Sequence, residues 1–192
     1  MSTVGIPNWG AQGVIPPIDV VDPTSANRSP YLVSLTDFVL RFSGTPERTG
    51  ILEGLLRYRA ALHAVGLTSG FQWVNGSFLE HVEMIESRAP NDVDVVTFFR
   101  LPGGESQVTV HAKAPDLFDH SRAKATYCVD AYVVGLGSPP EQLVERSAYW
   151  YSLWSHRRNQ AWKGYIQLDL DSSDDATARG LLASPPGTGG NP

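Results

Sequence analysis

A chain of 192 residues with 42% hydrophobic and 10% aromatic content can bury one good core and has no room for two large domains. Its formal charge of −5 excludes a global basic field, so any contact with nucleic acid has to come from a local patch. A single cysteine, Cys128, excludes an internal disulfide framework and a Cys-rich zinc site.

The opening MSTVGIPNWGAQGVIPP lacks a basic segment followed by an apolar one, and nowhere do about 18 apolar residues run together. This predicts a soluble, cytoplasmic protein with no membrane partner. Residues 1–30 are rich in Pro, Gly, Ser and Asn, and residues 171–192 combine acidic, small and Pro/Gly residues. Such composition buries little apolar surface, which predicts an irregular N-terminal segment, a folded domain over 31–170 and a flexible C-terminal tail over 171–192. A short helix is expected over SLTDFVLRF (34–42). A stronger one runs from Pro46 to about Val65, with Thr45 as N-cap, an apolar stripe through Ile51, Leu55, Leu62 and Val65, and Gly66 as its stop.

FQWVN (71–75) then reads as a strand ending at Gly76-Ser77, with FLEHVEMIES forming a helix directly behind. A strand that delivers a Gly-Ser turn to a helix N-terminus can bind phosphate, because glycine lets the backbone come close and the first amides are unspent. Gly-Ser also occurs in plain turns. The next strand adds the informative feature: NDVDVVTFF (91–99) carries Asp92 and Asp94 at i and i+2, on one side of a strand, before turning wholly apolar. A further strand, ATYCVDAYVVG (125–135), carries Asp130 in its middle. Singly, Asp92 can cap a turn, Asp94 can pair with an arginine and Asp130 can face solvent. Together, three carboxylates in Val-rich strands are costly unless they are paired or bound to a cation. Hard oxygen ligands without a Cys or His cluster suit Mg²⁺ or Mn²⁺.

The order Gly76-Ser77, Asp92-Val93-Asp94, Asp130 resembles the signature of the nucleotidyltransferase fold of the DNA polymerase β superfamily. With the surrounding pattern of PP, SPY, YR, NGSF, DVDVV, VDAYVV and KGYIQLDL, from Pro16 to Leu170, the chain is similar to a group of small uncharacterised prokaryotic nucleotidyltransferase-like proteins. The resemblance implies an α/β (α+β) fold, a short mixed sheet with helices packed on it. It also implies that Gly76 and Ser77 hold a nucleoside triphosphate such as ATP. Asp92 and Asp94 would ligate two metal ions, and Asp130 would complete one site and help activate an acceptor hydroxyl. Fourteen residues, Phe78 to Asn91, separate Ser77 from Asp92, more than the compact motif has, and the expected helix with the turn APND absorbs the difference.

Lys113, Arg122 and Lys124 precede the Asp130 strand and are the basic residues expected to reach the triphosphate, although each also suits a solvated helix face. His81, His111, His120 and His156 lack metal-ligand spacing and read as structural or surface residues. RYR (57–59) and HRR (156–158) are too short for a nucleic-acid footprint, though either can touch an acceptor's phosphates. Ser138-Pro139-Pro140-Glu141 predicts a capping box opening a helix through EQLVERSAYWYSLWSHRR, its aromatics serving core or interface. GYIQLDL (164–170) is the last predicted strand. The expected function is metal-dependent transfer of a nucleoside monophosphate from NTP to an acceptor (protein hydroxyl, RNA 3′ end or small molecule), by analogy in a toxin–antitoxin or phage-defence setting. The alternatives are a catalytically silent nucleotide- or partner-binding module on the same fold and a metal-dependent phosphohydrolase or nuclease.

Overall fold

The computed structural model of the chain describes residues 4–183. Five strands form one mixed sheet in the order β1-β5-β2-β3-β4: β1 (Tyr31–Leu32), β2 (Gly70–Asn75), β3 (Val93–Phe99), β4 (Val129–Gly135) and β5 (Ile166–Asp169). β1 pairs parallel with β5, β2 runs antiparallel to both β5 and β3, and β3 runs parallel to β4. Consequently the end of β2 and the beginnings of β3 and β4 meet at one end of the sheet. Seven helices lie among the described residues: α1 (Leu35–Phe42), α2 (Pro46–Ala64), α3 (Val82–Ile85), α4 (Gln107–Lys113), α5 (His120–Tyr127), α6 (Pro140–Trp154) and α7 (Asp175–Ala183). None of them is long and apolar enough to cross a membrane.

The central helix α2 starts where local chemistry dictates. Thr45 accepts a hydrogen bond from the Arg48 amide and Pro46 occupies the first turn. Its buried stripe includes Ile51, Leu55 and Leu62, packed under the sheet face that carries Val74, Val95 and Ile166, all fully buried. At Gly54 a Cβ would lie 1.9 Å from the Tyr127 carbonyl oxygen, so only glycine lets α5 sit this close to α2. That contact positions the last turn of α5, where Lys124 lies, just before Cys128 caps the helix with φ 56° and the chain enters β4.

The opposite sheet face is covered by α6, with the Trp150 ring tilted against Tyr132 at 4.8 Å and Trp154 edge-on to Tyr165 at 5.8 Å. Tyr149 and Leu153 of the same helix stay exposed, so the aromatic stripe splits between core and surface. The helices thus occupy both faces.

Several expectations are corrected. The stretch after Gly76 is no continuous helix but a 3-10 turn, Ser77–Leu79, followed by the single turn α3. Glu80 takes an extended backbone between them, with its side chain drawn into a buried pair with Lys163. Residues 125–127 end α5 rather than begin β4. No capping box opens α6: its N-cap is Pro139, which offers no side-chain acceptor. Of the expected flexible tail, 171–183 is ordered around α7, with Ala178 and Leu182 buried; the remainder, 184–192, lies outside the described residues. Asp175 is buried against Arg59 at 2.7 Å, and Asp174 accepts the Thr36 amide at 2.7 Å. Its carboxylates therefore bind the core instead of keeping the segment in solvent. The N-terminal segment is irregular but packed, with Val14 and Ile15 buried.

Candidate functional site

Register brings the conspicuous residues together. Asn75 of β2 faces Asp94 of β3, and Asp94 faces Asp130 of β4, forming one lateral row across three adjacent strands. On the same face, two residues further along each strand, comes the apolar row Trp73, Val96 and Tyr132. Across these three strands the face is therefore apolar up to its last row, where it turns acidic. Asp92 lies two residues before Asp94 and projects to the same side.

A cavity of about 720 Å³ opens over this row, lined by Asn75, Gly76, Ser77, Asp92, Asp94 and Asp130 on one side and by Trp154, His156, Arg157, Arg158 and Lys163 on the other. Gly76 has φ 84° and ψ −172°, a conformation that is nearly restricted to glycine. A Cβ there would lie 1.8 Å from Asp94 Oδ2, so the turn presses its backbone against the central carboxylate.

The electrostatics of the row are strained. Burial pushes Asp94 up to about 6 from its ordinary value of 3.8, reinforced by the charges of Asp92 and Asp130 and opposed by Lys163 and Lys124. Lys124 forms a close ion pair with Asp92, and its Nζ stands 3.6 Å from Asp130 Oδ2. This raises the lysine's own pKa, chiefly through the hydrogen bond to Asp92. Asp130 Oδ1 is buried with no hydrogen-bond partner, the His120 Nδ1 standing 3.8 Å away, and Asn75 Oδ1 is also buried and unpartnered. Asn75 donates an amide hydrogen to the Trp154 carbonyl at 3.0 Å, which leaves its oxygen as a spare acceptor. The row thus offers more acceptors and negative charge than the protein neutralises. Among the described residues no group of three His, Cys, Asp or Glu side chains stands at metal-ligating geometry; Lys124 stands at two of the three carboxylates in the position a bound cation would take.

Of the basic residues expected at the phosphates, only Lys124 lines the cavity. Lys113 pairs with Glu105 at 2.6 Å and Arg122 with Asp116 at 2.5 Å, both at the exposed surface. The cations on the far wall come instead from the segment after α6. Lys163 is buried, donates to Glu80 Oε1 at 2.7 Å and points at the Gly76 carbonyl from 3.4 Å. Arg157 pairs with Glu80 at 2.9 Å and with Glu86. Arg158 is exposed and has no ion-pair partner among the described residues. HRR is visible as a short basic cluster, but Lys163 carries no local signal: its contacts lie 83 residues away at Glu80.

A mixed α/β domain with an acidic row and a basic wall facing each other across one cavity is what the fold and site define. The chain belongs to DUF6932, a family of unknown function whose model matches residues 7–169. No curated protein and no solved structure matches it.

Proposed function

We propose that the protein is a nucleotidyltransferase of the polymerase β type that moves a nucleoside monophosphate from NTP to an acceptor hydroxyl. The observation that carries this reading is the shared cavity in which Asp92, Asp94 and Asp130 meet the Gly76-Ser77 turn. The two orphaned acceptors, Asp130 Oδ1 and Asn75 Oδ1, and the raised pKa of Asp94 fit a missing positive charge. Asp92, Asp94 and Asp130 would hold Mg²⁺ or Mn²⁺, which supplies charge stabilisation to the attacking and leaving oxygens of an in-line displacement. Holding such an ion would require Lys124 to move from Asp92 and Asp130 toward the entering phosphates and the three carboxylates to draw closer together.

The chain's own residues then have separate tasks. Gly76 permits the backbone approach and Ser77 offers its amide and hydroxyl to the triphosphate. Arg158, Lys124 and Lys163 neutralise the phosphate oxygens, with Glu80 fixing Lys163 from behind. Asp130 accepts a hydrogen bond from the acceptor hydroxyl and orients it for attack. Lys113 and Arg122 have no part in this arrangement.

One observation favours a second reading. Lys124 already bridges Asp92 and Asp130, the arrangement expected if the fold is kept as a silent module that binds a nucleotide or partner without turning it over. Incubation with each α-labelled NTP and Mg²⁺ or Mn²⁺, alone and with cell extract, separates the readings. Label on a protein or RNA supports transfer, NTP binding without turnover supports the silent module, and free nucleotide without transfer supports a hydrolase.

A further inference from the structure

On the other side of the segment that carries Glu80 lies a second cavity, of about 440 Å³, lined by Trp9, Arg41, His81 and Met84 together with Asn8, Gly10 and Ala11. Its volume falls within the range of small-molecule sites. The guanidinium carbon of Arg41 lies 4.1 Å from the Trp9 ring centroid, and the His81 ring stacks on the same indole at 4.3 Å and 14°. Trp9 is itself fixed, because its Nε1 donates to the Leu79 carbonyl at 2.7 Å.

Stacking uses the face of a guanidinium and leaves its in-plane N–H groups free. Elsewhere in this acidic chain, arginines near carboxylates pair with them, as Arg48 does with Glu83 at 2.6 Å. Arg41 has no hydrogen bond or ion pair among the described residues, and its Nε is buried without a partner. No carboxylate lines the cavity. Burial, and then the nearby charge of Arg48, push the Arg41 pKa below the ordinary guanidinium value, a tendency that an added anion would reverse.

We infer that this cavity is a binding site for a small oxyanion carried on an apolar body, with the Arg41 fork gripping two oxygens, His81 adding a donor and Trp9 and Met84 contacting the body. A carboxylate and a phosphate monoester present the same two-oxygen edge to the fork. The inference does not rest on nucleotidyl transfer, since none of these residues lines the cavity over the aspartates.

The test is NMR titration of the full chain with phenyl phosphate, benzoate and inorganic phosphate, following the Trp9 indole N–H and the Arg41 Nε–H. The expected result is a saturable shift of both signals with at least one of the first two probes, weaker with inorganic phosphate. Which of the two binds tighter assigns the anion. Arg41→Gln should weaken binding at least tenfold, Arg41→Lys should also weaken it because the charge remains but the fork is gone, and Arg158→Gln should not change it. Absence of saturable shifts at tens of millimolar, or shifts that survive undiminished in a folded Arg41→Gln, would overturn the inference.

Discussion

Asp94→Asn removes the charge at the centre of the acidic row while keeping the shape of the side chain. In the native protein the Asp94 carboxyl titrates at about 6 rather than 3.8, so the folded state holds its proton to higher pH than the unfolded state does. A carboxyl shifted this way imposes no penalty below pH 3.8. The penalty grows as pH rises through the window from 3.8 to about 6 and is complete above it. At about 1.4 kcal/mol per pH unit, the wild type carries about 3 kcal/mol of destabilisation at pH 8 that Asp94→Asn lacks. The attraction to Lys163 and Lys124 is already contained in that net shift; burying the uncharged Asn amide in place of the carboxylate costs part of the difference, leaving an expected net gain of about 1–2 kcal/mol. Urea unfolding of both proteins at pH 4 and pH 8, without divalent ions, measures it: the gain should appear at pH 8 and shrink toward zero at pH 4. Excess Mg²⁺ at pH 8 should stabilise the wild type and not the variant. A loss of about 3–5 kcal/mol in Asp94→Asn at pH 8, as for a broken buried ion pair, together with no Mg²⁺ effect on the wild type, would refute the reasoning.

Other outcomes follow from neighbouring residues. Gly76→Ala should lower stability by about 1–3 kcal/mol, because it forces a side chain into a glycine conformation and against Asp94, and calorimetric NTP binding should be lost with it. Lys124→Ala should cost under about 1 kcal/mol, since its side chain is about half exposed. It should strengthen Mg²⁺ binding in the absence of nucleotide, measured by the metal dependence of the melting temperature. Arg59→Leu should cost about 3–5 kcal/mol by leaving Asp175 buried and unpaired, and limited proteolysis should then cut before α7 first.

The parts of the fold legible in the sequence are those whose signals are local. Thr45, Pro46 and Gly66 bound one helix by their own chemistry, and Asp92 and Asp94 declare a shared face by their i, i+2 spacing inside an apolar strand. Asp130 needed only the further step that its strand lie beside theirs, and Lys124 only the turn of helix before it. What stayed hidden depends on distant partners. Glu80 breaks the expected helix because Lys163 and Arg157 draw it inward, and neither is near it in sequence. The segment leading into α7 looks too acidic to pack until Arg59 satisfies Asp175 and Thr36 satisfies Asp174. Lys113 and Arg122 read as phosphate contacts, yet Glu105 and Asp116 hold them elsewhere.

The most direct measurement compares wild type and Asp94→Asn, each given ATP labelled at the α or the γ phosphate, or whichever NTP the protein proves to prefer, with Mg²⁺ and cell extract. Nucleotidyl transfer predicts that the α label enters a macromolecule or small acceptor, that the γ label leaves with pyrophosphate, and that Asp94→Asn reduces α incorporation by a factor of about 100 or more. Incorporation of the γ label, or equal α incorporation by both proteins, would contradict it.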